Sequence, residues 1–228
     1  MELMRSGKTW DLAIVDPPYG IETRGNAQDR FRNGKQLKTV NDDKPDEQYF
    51  IELFRVSKNQ IIWGYNHLSN MLPKCREFVF WYKEQPVVTF SDGELAWTSY
   101  QKTARCFHYP FHKANLENKG YKIHPTQKPV KLYKWLLANY APNCKYCNGN
   151  GSYYEDVAGD GGSRMMMHCD ECNGTGNGTI LDTHGGSMSI AIACWDMGFD
   201  LDICELDSDY FNDAVKRFEN HIKQTTLF

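Results

Sequence analysis

Two copies of the pattern Cys-x-x-Cys-x-Gly-x-Gly, at Cys144–Gly151 and Cys169–Gly176, restrict this chain more than any other feature. Each pair of cysteines with its following glycines makes a tight knuckle whose backbone can direct N–H groups at the sulfurs. Two such knuckles complete a tetrahedral zinc site through Cys144, Cys147, Cys169 and Cys172. Four protein ligands leave no open position, so the zinc is structural, and a module this small needs such a staple to fold. Disulfides or free thiols are the alternative. The remaining cysteines, Cys75, Cys106, Cys194 and Cys204, show no pairing by spacing. The module occupies 141–178, a stretch rich in Cys, Gly and Asn with little periodicity.

Around this insertion the chain reads as a single α/β domain spanning 1–228. Its 228 residues, 41% of them hydrophobic, suffice for one sizeable core and not for two. The apolar run Asp11–Asp16 stops at a Pro-Pro turn, as a buried strand does at its end. Residues 45–56 pattern as an amphipathic helix with an acidic first turn, followed by strands at Gln60–Gly64 and Phe78–Tyr82. Glu94–Tyr100 is expected to pair antiparallel at an edge of an otherwise mostly parallel sheet. A helix opened by proline is expected over 129–140, a strand over 179–182, a helix over 188–197 and a strand over 200–205. A last amphipathic helix over 208–223 is expected to be capped by Ser208. No apolar run reaches membrane-spanning length and no signal core follows the N-terminus, so the chain is read as cytoplasmic with no membrane partner.

Charge is unevenly divided. Residues 1–140 hold 21 Lys and Arg against 15 Asp and Glu, a net of +6, while residues 141–228 hold 5 against 14, a net of −9. A basic N-terminal part can follow a phosphate backbone while the acidic part stays off it; drift of charge along a solvated surface is the alternative. Residues 20–44 carry Gly20, Gly25 and Gly34 with Arg24, Arg30, Arg32, Lys35 and Lys38, and read as a mobile basic loop able to close over a ligand.

The Pro-Pro turn belongs to the tetrapeptide Asp16-Pro17-Pro18-Tyr19, placed where open α/β sheets bind ligands, beyond the C-terminal end of a strand. An exocyclic amine on a nucleobase is a poor nucleophile because its lone pair is delocalised into the ring. It needs two acceptors for its hydrogens so that the lone pair can face an electrophile. The Asp16 carboxylate and the Pro17 carbonyl can supply them, proline contributing no N–H to compete. Tyr19 can stack on a base flipped from a duplex, a contact worth about 1–3 kcal/mol. By itself the tetrapeptide is equally a turn with an aromatic anchor.

With Gln60-Ile-Ile-Trp-Gly-Tyr-Asn66, Phe90-Ser-Asp-Gly-Glu-Leu-Ala-Trp97, Ile123-His-Pro-Thr-Gln-Lys-Pro129 and Ile180-Leu-Asp-Thr-His-Gly-Gly-Ser187 in the same order, the chain resembles the amino-methyltransferases of DNA. The similarity is to their circularly permuted group, in which the D-P-P-Y element precedes the cofactor element, as in phage and restriction-modification adenine methylases. It implies a Rossmann-like fold, S-adenosylmethionine as methyl donor, double-stranded DNA as substrate and base flipping with direct transfer to adenine N6. It further implies that His124, Thr126, Gln127 and Lys128 line the methionine end of the cofactor. The turn Asp182, His184, Gly185, Gly186, Ser187 binds the cofactor by close backbone approach, and Glu205 holds the ribose, with Asp207 a competing candidate. The family more usually has D-P-F-x-G-S-G at this turn. Here His184 stands at the Phe position and Met188 at the last Gly, where a side chain is expected to crowd the cofactor.

The knuckle repeats resemble those of DnaJ-type co-chaperones, two copies being enough for one metal. Because residues 144–176 carry Glu155, Asp156, Asp160, Asp170 and Glu171 against Lys145 and Arg164, a structural or protein-contact role is expected rather than a grip on DNA. The terminal Gln224-Thr-Thr-Leu-Phe228 is similar to the peptide that docks bacterial replication proteins on the sliding clamp. Two other functions fit parts of the sequence. Cytosine N4 methylation poses the same chemical problem, although family members acting on cytosine more often begin the tetrapeptide with Ser. A zinc-containing DNA or clamp adaptor without catalysis would explain the departures at His184 and Met188. Recognition of a DNA sequence is expected to fall to residues 101–122, shared with the 20–44 loop.

Overall fold

The apolar run Trp10–Val15 forms β1, and its alternate residues enter two separate cores. Leu12 and Ile14 join one apolar cluster, Ala13 and Val15 another, all fully buried. A strand covered on both faces reads as a continuous apolar run, which is why this segment shows no polar alternation. The structure, a computed structural model, describes residues 2–21, 43–85, 91–110, 112–114, 122–124, 126–156 and 164–225, with the backbone of 31–32 and 35–36.

The first helical turn is α1 (Glu2–Arg5). The short pair β2 (Phe31–Arg32) and β3 (Lys35–Gln36) is antiparallel; of the expected basic loop over 20–44, residues 22–30, 33–34 and 37–42 lie outside the described residues. Helix α2 (Glu47–Val56) begins at Asp46, whose carboxylate accepts the Tyr49 N–H at 2.9 Å, and leads straight into β4 (Ser57–Trp63). After α3 (Tyr65–Leu68) come β5 (Phe78–Tyr82), β6 (Gly93–Thr98) and β7 (Arg105–His108). Helix α4 (Val130–Tyr140) starts behind Pro129. Strands β8 (Ser152–Asp156) and β9 (Arg164–His168) form a separate hairpin. The chain returns through β10 (Thr179–Asp182), α5 (Ser189–Met197), β11 (Asp200–Ile203) and α6 (Ser208–Thr225).

Seven strands make the main sheet in the order β11-β10-β1-β4-β6-β5-β7. It is mostly parallel with one antiparallel strand, β6, as expected from the sequence. The place of β6 differs from expectation. It lies inside the sheet between β4 and β5, and the edge is taken by β7, which runs parallel to β5. Strand β7 is mostly exposed, so its sequence lacked the apolar signature of a strand. Helices α4 and α5 cover one face through Leu132, Leu136, Ile190 and Ala193, and α2 covers the other through Phe50, Leu53 and Val56.

Two further differences concern detail. The cap of α6 is Asp207, whose Oδ1 accepts the N–H groups of Asp209 at 2.8 Å and Tyr210 at 3.1 Å, and not Ser208. Aspartate and serine both cap well, and here the chain direction into the helix selects the residue one position earlier. The hairpin β8–β9 was hidden by the low-periodicity composition of its surroundings. Among the described residues no helix is long and apolar enough to cross a membrane. The terminal segment 226–228, with most of the clamp-like peptide, lies outside the described residues.

Candidate active site

Every parallel strand delivers its C-terminal end to one edge of the sheet, and antiparallel β6 brings its N-terminal end to that same edge. This geometry gathers residues that are remote in sequence. Asp16 follows β1, Gly64 follows β4, Lys83 follows β5, Glu94 opens β6 and Asp182 closes β10. Lys128 joins them from the turn ahead of α4.

Of the tetrapeptide, Pro17 is buried and Asp16, Pro18 and Tyr19 are partly buried. Both oxygens of the Asp16 carboxylate are engaged: Oδ2 accepts from the Lys128 ammonium and Oδ1 from the Tyr19 hydroxyl. The Tyr19 ring lies parallel to His67, with centroids 5.4 Å and planes 15° apart. Burial, with the charges of Asp16 and Glu94 added, pushes the Tyr19 hydroxyl well above its ordinary pKa, so it remains a donor.

Lys128 is almost fully enclosed, its side chain 3% exposed, and lies between two carboxylates. Its ammonium pairs with Asp16 on one side and stands 3.1 Å from Glu94 Oε2 on the other. The opposite oxygen, Glu94 Oε1, is bound by Lys83. Burial works against the charges of Glu94 and Lys128, yet Lys128 and Lys83 hold the Glu94 carboxyl below its usual range, and Asp16 and Glu94 raise Lys128. Sequence reasoning had assigned Lys128 to a cofactor and had given Glu94 and Lys83 no role. Their involvement depends on strand order, which no local pattern encodes.

The turn after β10 is built around hydrogen bonds to neighbouring strands. Asp182 is buried, and its Oδ1 accepts the His184 N–H at 2.9 Å. Burial, together with the nearby charges of Asp16 and Glu205, raises its carboxyl to about 7. His184 contacts Thr183 Oγ1 through Nδ1 at 3.0 Å and meets the Tyr49 ring edge-on at 5.4 Å; burial lowers it to about 4, so it is neutral at pH 7. At Gly185 a Cβ would fall 2.9 Å from the Ile203 side chain and 3.1 Å from the Cys204 carbonyl, so glycine lets this turn pack closely on β11. Glu205 receives the Gly186 N–H on Oε2 at 2.7 Å and the Asp207 N–H on Oε1 at 2.9 Å. Glu205 therefore faces the turn while Asp207 caps α6. Met188 is 4% exposed, in a left-handed conformation at φ 53°, and packs with Ile123, Ala191 and Ala214. Ser187 is buried beside Ser189, and Arg217 donates to the Ser187 carbonyl at 2.7 Å.

The 124–129 segment lies against this turn, where a Cβ on Gly186 would meet the His124 ring at 3.6 Å. His124 is 9% exposed, meets Tyr210 edge-on at 4.5 Å and contacts the Thr126 hydroxyl at 3.1 Å. Gln127 accepts the Ile123 N–H through Oε1 at 3.1 Å, whereas its buried Nε2 has no hydrogen-bond partner. Trp63 Nε1, beneath the Lys128 ammonium, is also buried without one. Buried donors are rarely left unpaired, and two beside one site leave hydrogen bonds for a ligand to complete. Tyr49, Tyr210 and Arg217 are further residues of this region that sequence reasoning did not single out; none stands in a motif, and each reaches the site from a helix face.

With that geometry, the fold can be placed among known ones. A solved complex of M1.HpyAVI with SAM superposes with a TM-score of 0.52 at 16% identity, covering 95% of this chain and 92% of the other. The fold is shared with M1.HpyAVI. The cytosine-N4-specific PvuII DNA methyltransferase superposes with a TM-score of 0.49 at 12% identity, covering 95% of this chain and 83% of the other. No protein-family model and no curated protein sequence matches the chain.

A second centre lies in the inserted segment. Cys144, Cys147, Cys169 and Cys172 are buried, with all four sulfurs within 4.8 Å of one another. The Cys144–Cys169 and Cys147–Cys172 sulfurs are 3.8 Å and 3.6 Å apart, against about 3.8 Å for the edge of a tetrahedron with 2.3 Å zinc–sulfur bonds. The knuckles are alike: Gly151 N–H donates to Cys147 at 3.2 Å and Gly176 N–H to Cys172 at 3.3 Å. The cluster fits structural zinc, and no fifth donor approaches it among the described residues. The segment is tied off at its base, where Asn143 bridges Asn177 and the Gly178 N–H donates to the Pro142 carbonyl at 2.9 Å. A cleft of about 500 Å³ separates this segment from the opposite end of the sheet. Of its three lysines, Lys8 and Lys58 are paired with Asp202 and Asp11, and Lys145 lies over the Tyr146 ring.

Proposed function

We propose that the chain transfers a methyl group from S-adenosylmethionine to the exocyclic amine of a DNA base, adenine N6. The observation that carries this is the position of Asp16 and Pro17 at the end of β1, beside the glycine turn that closes β10 on the neighbouring parallel strand. The acceptors for an amine and the turn for a cofactor thus share one crevice, where α/β sheets bind ligands. The fold shared with M1.HpyAVI, described in complex with SAM, supports the same reading.

The bound cofactor supplies an electrophilic methyl on a sulfonium. The residues of this chain do the rest. Asp16 and the Pro17 carbonyl accept the two amine hydrogens, turning the nitrogen lone pair toward the methyl group. On taking up the methyl group the amine would shed one proton through the acceptors that held it. Tyr19, backed by His67, carries the flipped base. The unpaired Gln127 amide donor suits a cofactor carboxylate, and Glu205, facing the glycine turn, suits ribose hydroxyls. The zinc module, tied off at 143 and 177, is read as an insertion into one methyltransferase domain, holding zinc for structure.

Adenine is preferred to cytosine because the tetrapeptide begins with Asp. Nucleoside mass spectrometry of duplex DNA incubated with the protein and S-adenosylmethionine tests the assignment. N6-methyladenine is expected, N4-methylcytosine would move the substrate to the other base, and neither product on varied DNA would remove the enzymatic reading. Equilibrium dialysis with labelled S-adenosylmethionine separates it from a DNA adaptor, which would bind none.

A further inference from the structure

Lys128 is bonded to one of the two Asp16 oxygens that a substrate amine would use in the reaction proposed above. Asp16 Oδ1 is held by the Tyr19 hydroxyl and Oδ2 by the Lys128 ammonium, so an incoming N–H must share or displace one of them. The ammonium cannot simply withdraw, because its side chain is 3% exposed and an unpaired charge there would be costly. An alternative lies on its other side. Glu94 Oε2 is buried, 3.1 Å from the ammonium, and no other donor among the described residues bonds it.

We propose that Glu94 is a positioning residue that acts through Lys128, offering the ammonium a second carboxylate so that Asp16 Oδ2 is released to the substrate amine. This rests on the methyl-transfer reading above and assigns a role within its site.

The charges make the exchange balanced. Asp16, Lys128, Glu94 and Lys83 form an alternating row of two carboxylates and two ammoniums. Moving Lys128 from one carboxylate to the other changes neither the net charge nor the burial of the row. Lys83 keeps hold of Glu94 Oε1 and so fixes the carboxylate with Oε2 toward Lys128. Burial penalises the Glu94 charge, while the two lysines keep it ionised and able to receive the ammonium. The nearby Trp63 ring, 5.2 Å from the Lys128 nitrogen, adds a cation–π contact that does not depend on which carboxylate is paired. The sheet explains why Glu94 can serve: it is the second residue of the antiparallel strand, whose N-terminal end lies at this edge.

Glu94→Gln leaves the shape but removes the second carboxylate, so Lys128 stays on Asp16. Single-turnover methyl transfer to DNA is expected to fall at least tenfold, with S-adenosylmethionine binding by equilibrium dialysis unchanged within about threefold. Glu94→Asp, which keeps the charge and guards against a variant that fails to fold, should recover most of the rate. The decisive comparison is a double substitution. If Glu94 acts through Lys128, Glu94→Gln added to Lys128→Gln should slow the reaction no further than Lys128→Gln alone. Multiplying effects would mean that Glu94 works independently and would overturn the proposal, as would a wild-type rate in Glu94→Gln. A wild-type protein that binds no S-adenosylmethionine and methylates no DNA would overturn the underlying function instead.

Discussion

Gly64 lies against the ring of Tyr19 so closely that a Cβ on it would fall 2.1 Å from the ring carbon Cε1. Gly64 also has φ 79°, a conformation that side chains rarely adopt. The position therefore requires glycine on two grounds, its own backbone and the seat it leaves for Tyr19. Gly64→Ala should cost roughly 1–3 kcal/mol of stability and displace the Tyr19 ring from its stack with His67. Urea unfolding and single-turnover methylation measure the two effects. Wild-type values for both would show that the ring does not depend on this glycine.

Asp16→Ala removes one of the two acceptors proposed for the amine while leaving Lys128 paired with Glu94. Methyl transfer should fall by about 10²–10³-fold, the usual cost of losing one preorganised hydrogen-bonding group at a reacting centre. Cofactor binding by equilibrium dialysis should change little. A matching loss of cofactor affinity would place Asp16 in the cofactor site.

Asp182 gives a pH dependence with a definite sign. Its folded-state carboxyl is raised by burial and by the neighbouring Asp16 and Glu205, from an ordinary 3.8 to about 7. Between those values the folded protein holds a proton that the unfolded chain has released. The group therefore opposes folding increasingly as pH rises from 4 to 7, and constantly above. Asp182→Asn should raise stability at pH 8 by on the order of 2–4 kcal/mol and have no such effect at pH 4. His184, lowered to about 4, contributes the opposite slope between about 4 and 6.5, so wild type should show little net dependence from these two groups there. Urea midpoints of both proteins at pH 4 and pH 8 provide the check, and an equal shift at the two pH values would rule out titration of Asp182 as its source.

Removing zinc should act locally. With a chelator, Cys144, Cys147, Cys169 and Cys172 should become reactive to a thiol reagent and the β8–β9 hairpin should lose its amide protection. The main sheet should persist, because the segment is closed at its base by Asn143 and Asn177 and contributes nothing to the seven-stranded sheet. Hydrogen exchange read by region distinguishes this from global unfolding, the outcome expected if the metal centre supported the whole fold.

Much of the architecture was legible because it is written in local patterns. A strand covered on both faces must be apolar throughout, so β1 and β10 stood out, and the amphipathic spacing of α2 and α6 marked helices. Strand β7 was missed because an exposed edge strand needs no apolar residues, and the β8–β9 hairpin because its exposed tyrosines and methionines are not patterned by a core.

At the site, the sequence by itself determined the chemistry carried by short segments: a carboxylate and a proline carbonyl in one turn, glycines that admit close backbone approach, and four thiols in two knuckles. These follow from residues that touch their neighbours in the chain. Tertiary structure alone decided that Lys128 binds Asp16 across 112 residues, that Glu94 stands behind it, that His67 backs Tyr19 and that Met188 packs against Ile123 and Ala214. Each of those contacts exists because a particular strand or helix was placed beside another. Strand order is set by the packing of the whole sheet and leaves no trace in the periodicity of any single segment.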